Sequence, residues 1–287
     1  MKKKLIQLCL LMIWIILSGC SIAFTDTTES IVATDAPTES IAETDHVIPE
    51  TTAAQESDVT ETTVPDLSLH MNAGSYLLKY EDQNTSNYLE YYLFIPDNAQ
   101  LNMPLIVFLH GDGEVGKVEK LENYGMIAGA REIYGEDFPF IAISPCTRIP
   151  SWTEGSIPET LIGLIESTIT LSSADRNRII ITGHSRGAMG VWSLINTYGD
   201  YFSAAVPVNC GSDLKLDYER CATVPVLAIA GTSGDMEIEF QNQMRKIVEK
   251  LTDTGGNAQL TLLEGAQHKD TAKAAFTEET FRWILQK

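Results

Sequence analysis

Apolar residues recur along this chain in two rhythms, and the patterned region begins near residue 75. Beyond that point, short runs rich in Val, Ile, Leu and aromatic residues read as strands. They are Ser75–Tyr80, Tyr88–Ile95, Leu105–Leu109, Phe140–Ser144, Arg178–Thr182, Ala204–Val208, Val224–Ala230 and Ala258–Leu263. The first two form a starting hairpin. Between later runs, amphipathic spacing predicts helices over Glu159–Leu171, Ala188–Tyr198, Glu237–Thr254 and Asp270–Leu285. Strands alternating with helices in this way predict an α/β fold: about eight strands in a mostly parallel sheet, with helices on both faces.

Ahead of the patterned region the chain has a different character. Lys2, Lys3 and Lys4 precede an apolar run from Leu5 to Leu17, too short to span a membrane comfortably and flanked as a signal peptide is. Leu17-Ser18-Gly19-Cys20 follows. It resembles the bacterial lipobox, which implies removal of residues 1–19 and lipidation of Cys20 (palmitate among the acyl groups). Such an anchor would hold the protein on the outer face of the cell membrane. Residues 21–66 hold eleven Asp/Glu with no Lys or Arg, and few large apolar residues. A segment of that composition buries too little apolar surface to offset its ordering entropy, so residues 20–66 are expected to be a tether. The domain proper is expected over 67–287.

Charge excludes one class of partner. The rest of the chain carries 28 acidic residues against 17 basic ones, and an acidic body repels phosphate backbones, so no nucleic-acid partner is expected. Of the five cysteines, Cys9 falls in the signal segment and Cys20 at the lipobox. That leaves Cys146, Cys210 and Cys221, among which an exported protein can form one disulfide. Cys210–Cys221 is the best pair, with three buried thiols as the alternative. No Cys/His cluster has zinc spacing, and no cofactor or metal is implied.

The chemistry centres on Gly183-His184-Ser185-Arg186-Gly187. A bare Gly-x-Ser-x-Gly is a weak signal. Here it joins the apolar run Arg178–Thr182 to a helical pattern starting at Ala188, which is the strand–elbow–helix that a nucleophilic serine of this motif needs. A serine requires a base. His46 lies in the tether and His70 ahead of the first strand, His110 sits in His110-Gly111, His184 is next to Ser185 in the elbow, and His268 alone follows Ser185, just past the last strand. The strand–elbow–helix resembles the nucleophile elbow of α/β hydrolases, whose chain order, serine then acid then histidine, implies His268. For the acid, Asp235 in Gly231-Thr232-Ser233-Gly234-Asp235 is favoured, with Glu237 and Asp213 as rivals. Leu105–Leu109 runs into His110-Gly111-Asp112-Gly113, placed where the fold supplies an oxyanion amide. The expected donors are the backbone N–H groups of Asp112 and Arg186. His110 and Gly111 are expected near the substrate.

Leu109-His110-Gly111-Asp112-Gly113-Glu114, the elbow, Asp175-Arg176-Asn177-Arg178, Tyr201-Phe202-Ser203-Ala204-Ala205, Pro207-Val208-Asn209-Cys210-Gly211 and Gly265-Ala266-Gln267-His268 together resemble a branch of the α/β-hydrolase superfamily. That branch holds esterases and putative peptidases related to feruloyl esterases and polyhydroxybutyrate depolymerases. The resemblance covers about residues 75–287. It implies a serine hydrolase that cleaves small-molecule or polymer-linked esters through an acyl-enzyme, with Trp152 in a loop near the cleft, where it would stack on a substrate ring or simply pack. No long insertion follows Ala204–Val208, where capped hydrolases carry one, so no cap domain is expected. Arg186 departs from the Met common in the branch, and a cation beside the nucleophile would bear on substrate preference. Two other readings stand beside the esterase: a prolyl-oligopeptidase-type peptidase, and a surface-binding lipoprotein on an inactive hydrolase scaffold.

Overall fold

The computed structural model describes residues 72–211 and 215–287. Cys20, the tether and Asp213 lie outside the described residues. Eight strands form one sheet: β1 (Gly74–Glu81), β2 (Tyr88–Ile95), β3 (Leu105–Leu109), β4 (Ile141–Cys146), β5 (Ile179–His184), β6 (Ala204–Val208), β7 (Val226–Gly231) and β8 (Ala258–Leu263). Their spatial order is β1-β2-β4-β3-β5-β6-β7-β8. The hairpin of β1 and β2 and the pairing of β2 with β4 are antiparallel, and every later pairing is parallel.

The strand runs were visible because β3 to β7 are buried along their whole lengths. A parallel strand covered on both faces has no polar side to show, and reads as continuous apolar sequence. The edge strands β1 and β8 alternate instead. Consecutive side chains point to opposite faces, so the sheet separates two cores. Leu105, Val107 and Ile181 pack with Leu161, Val191, Trp192 and Met244 on one face. Ile106, Phe108 and Ile180 pack with Met126, Phe276 and Phe281 on the other.

The helices are α1 (Met126–Tyr134), α2 (Ile157–Ser172), α3 (Arg186–Tyr198), the short α4 (Tyr218–Cys221), α5 (Asp235–Asp253), α6 (His268–Ala274) and α7 (Glu278–Leu285). The set differs from the pattern reading in two ways. The single helix expected over Asp270–Leu285 is two, because Thr277 caps a new start, its hydroxyl accepting from the Thr280 amide at 3.2 Å. Helices α1 and α4 have no counterpart in the pattern reading. Between β6 and β7 lie residues 209–225, and α4 is the one helix among the described residues there.

Cys210 and Cys221 are not joined in a disulfide. They serve different places: Cys210 lines the cleft described below, whereas the fully buried Cys221 lies at the end of α4 with its thiol 3.8 Å from Asn196 Oδ1. Burial pushes the Cys221 thiol up to about 11.

Candidate active site

The carboxyl ends of β3, β5, β6, β7 and β8 converge on a cleft of about 600 Å³. Strand β5 delivers Ser185 at a sharp turn: φ is 56° and ψ −118°, in a region that side-chain-bearing residues rarely adopt. The elbow is held by the Ser185 amide donating to the Val208 carbonyl at 2.9 Å. Its glycines are steric necessities. A Cβ on Gly187 would lie 2.0 Å from the Leu109 carbonyl oxygen, and one on Gly183 would lie 2.6 Å from the Gly187 backbone.

His268 opens α6 and places Nε2 2.9 Å from Ser185 Oγ. Burial draws the imidazole below its ordinary value, and the nearby Glu237 charge opposes that shift. On its other side, Nδ1 lies 2.9 Å from Asn209 Nδ2 and 3.5 Å from Glu237 Oε1. Asn209 sits at φ 56° just past β6, and its Oδ1 accepts from the Gly231 amide at 3.0 Å. Glu237 is 4% exposed, and among the described residues its Oε1 has no hydrogen-bond partner, the His268 contact standing at ion-pair distance only.

Of the two candidate acids among the described residues, the structure brings Glu237, not the favoured Asp235, to the histidine. Both lie on α5, which begins at Asp235 itself rather than after it. Two residues advance about 200° around a helix, so the two side chains take opposite sides. Glu237 is buried toward His268 and Asp235 faces solvent. The carboxylate folds back toward Gly234, where a Cβ would lie 2.4 Å from Oε2.

The loop after β3 comes against the elbow. A Cβ on Gly111 would stand 3.3 Å from Ser185 Cβ. Asp112 begins a one-turn 3-10 helix, and Arg186 begins α3. Amides at the first position of a helix have no acceptor in a preceding turn, so both are available to an anion. Gly111, Asp112, Ser185 and Arg186 line the cleft together with Tyr124, Met189, Met236 and Phe240. The Arg186 guanidinium is not a free cation: Nε and Nη2 pair with Asp112 Oδ1 and Oδ2, the second contact at 2.7 Å.

His110 and Trp152 are support rather than cleft wall. His110 is 1% exposed, its Nδ1 donating to the Gly111 carbonyl at 2.6 Å and Nε2 accepting from the Thr147 amide at 3.1 Å. Trp152, also 1% exposed, donates from Nε1 to the His110 carbonyl at 3.0 Å. Its place under the loop follows from Gly190, where a Cβ would come 2.6 Å from Trp152 Cβ.

Two residues escaped the sequence reading. One is Asn209. The other is His184, inside the elbow motif, whose Nε2 lies 2.9 Å from the His268 carbonyl and 3.1 Å from Thr271 Oγ1. Since a carbonyl only accepts, Nε2 carries the proton and ties the elbow to the His268 turn. Burial, then the neighbouring His268, pushes His184 down to about 4, so it is neutral here. Nothing in sequence separates such a histidine from a solvent-facing one. Among the described residues, no group of His, Cys, Asp and Glu is arranged to hold a metal.

Comparison with known proteins agrees on the fold. No family model matches the chain. Feruloyl esterase B of Thermothelomyces thermophilus is 27% identical over 128 residues, which are 40% of this chain and 42% of that protein. A solved thermostable esterase superposes with a TM-score of 0.65 at 25% identity, covering 74% of this chain and 62% of its own. The feruloyl esterase module from Clostridium thermocellum, solved with sinapinate as its S954A mutant, gives 0.56 at 15% identity over 77% of this chain and 92% of the module. This chain thus spans under two thirds of the first two relatives. It has the α/β-hydrolase fold and is similar to esterases of that superfamily.

Proposed function

We propose that this chain is a serine hydrolase of carboxylic esters, working through Ser185, His268 and Glu237. The observation that carries this reading is the 2.9 Å contact between His268 Nε2 and a Ser185 held in a strained elbow. His268 takes the hydroxyl proton as Ser185 attacks the ester carbonyl. Glu237 accepts from Nδ1–H and favours the cation that forms on the imidazole, the Asn209 amide giving way at Nδ1 in this tautomer, and His184 holds the His268 turn in place. The tetrahedral oxyanion sits between the Asp112 and Arg186 amides. The alcohol leaves with the proton from His268, and water hydrolyses the acyl-enzyme by the same route.

The cleft suits an apolar acyl group. Met189, Met236 and Phe240 offer apolar surface, and the Phe240 ring lies tilted against the His268 ring with centroids 5.6 Å apart. Acylated carbohydrate is the substrate class we favour, supported by the named activity of the feruloyl esterase relatives. The location we propose is the outer face of the cell membrane, through lipidated Cys20 and the 20–66 tether. Changing Cys20 to Ala should release the protein to the medium, and retention with the membrane fraction would refute that location.

A panel of p-nitrophenyl esters and peptide p-nitroanilides tests the chemistry. Turnover of esters alone supports the proposal. Faster turnover of anilides would make the chain a peptidase, and no turnover of either, without phosphonate labelling, an inactive scaffold.

A further inference from the structure

Two backbone amides on different elements must face one oxygen for the proposed oxyanion site to work. Asp112 follows β3 and Arg186 follows β5, so their relative position depends on what fixes the β3 loop to the elbow. Part of that fixation is steric. Gly111 lies against Ser185, and Gly187 against the Leu109 carbonyl. Beyond Gly111 the loop is held to its own turn and to the segment after β4, with the Lys117 ammonium donating to the Gly113 carbonyl at 2.9 Å and the Gly116 amide to the Thr147 carbonyl at 2.8 Å, contacts that do not reach the elbow. The side chains of the same two residues close that gap. The planar guanidinium of Arg186 meets both carboxylate oxygens of Asp112, the fork geometry that sets orientation as well as distance.

We propose that the Arg186–Asp112 ion pair is a positioning clamp that holds the two oxyanion-binding amides in register across the loop and the elbow. The proposal rests on the serine-hydrolase reading above. It also reassigns Arg186: a cation whose charge is spent on Asp112 does not select anionic substrates. A pair with 37% and 55% of its side-chain surfaces exposed adds little to folding stability. Its effect is therefore expected in the rate and not in the melting curve, because a small misplacement of a charge-stabilising group costs far more in the transition state than in the folded state.

The test is a double-mutant cycle of Arg186→Met, Asp112→Asn and the double variant, with Arg186→Lys as the conservative change. All four keep both amides. The expected outcome for each single variant is a fall in kcat of about 10- to 100-fold with KM changed less than about threefold. The Lys variant, charged but not forked, should fall in between. The double variant should be no slower than the worse single, since the clamp can be lost only once. Melting temperatures should stay within about 2 °C of the parent. A kcat within twofold of the parent in Arg186→Met, or losses that multiply in the double variant, would overturn the clamp. Fluorophosphonate labelling of the unmodified protein separates this from failure of the wider reading. A labelled Ser185 with an indifferent Arg186 refutes the clamp alone, whereas an unlabelled Ser185 refutes both.

Discussion

At the scale of residues, the site depends on which carboxylate faces His268. Glu237→Gln should lower kcat/KM for an ester by up to about 10⁴-fold, the size of loss seen when a triad acid becomes its amide. Asp235→Asn should leave it within about twofold, and equal effects in the two variants would contradict the assignment. The pH profile adds a second check. A base must be unprotonated to take the serine proton, so activity falls as pH drops through the His268 value. Burial places that value below the ordinary 6.5. The acidic limb of kcat/KM should therefore lie under pH 6.5, and lower again in Glu237→Gln, which removes the charge that favours protonation. A limb that rises in that variant would count against Glu237 as the neighbour. Ser185, His268 and the oxyanion loop were legible in the sequence because each occupies a position fixed by strand order. The acid was not, because the choice between Asp235 and Glu237 turns on the first residue of α5, and helix starts shift by a residue or two without changing the apolar pattern.

At the scale of elements, the parallel strands were readable and the joints between helices were not. Buried runs such as Ile179–Ile181 announce themselves, whereas the break between α6 and α7 rests on one hydroxyl. Thr277→Ala should cost about 1 kcal/mol in urea unfolding by loss of the cap. A larger cost is expected where two elements touch without side chains between them. Gly187→Ala places a methyl against the Leu109 carbonyl, 2.0 Å from its oxygen, so α3 must shift from β3. Destabilisation of about 1–3 kcal/mol or more should follow, together with loss of ester hydrolysis. A fully stable and active Gly187→Ala would mean that the elbow is looser than this packing requires. Trp152 illustrates the opposite limit of sequence reading: its loop position left open a ring stacked on substrate or one that packs, and the close approach of Gly190 draws it beneath the loop as a packing residue.

At the scale of the whole molecule, the elbow, the His268 turn and folding stability are linked through His184. That imidazole is neutral in the folded protein down to about pH 4, against 6.5 for an ordinary histidine. As pH falls below 6.5 the unfolded chain takes up this proton first, so stability declines between pH 6.5 and about 4, by up to about 3 kcal/mol in all. Comparing urea unfolding at pH 7 and pH 5 for the parent and His184→Gln isolates the contribution. The parent should lose more stability than the variant, and parallel losses would show that His184 is not the group responsible. The most direct measurement of the central claim is mass-spectrometric mapping of fluorophosphonate labelling at neutral pH. We expect one adduct, on Ser185, absent in Ser185→Ala and strongly slowed in His268→Ala. An adduct on another residue, or undiminished labelling without His268, would contradict the account.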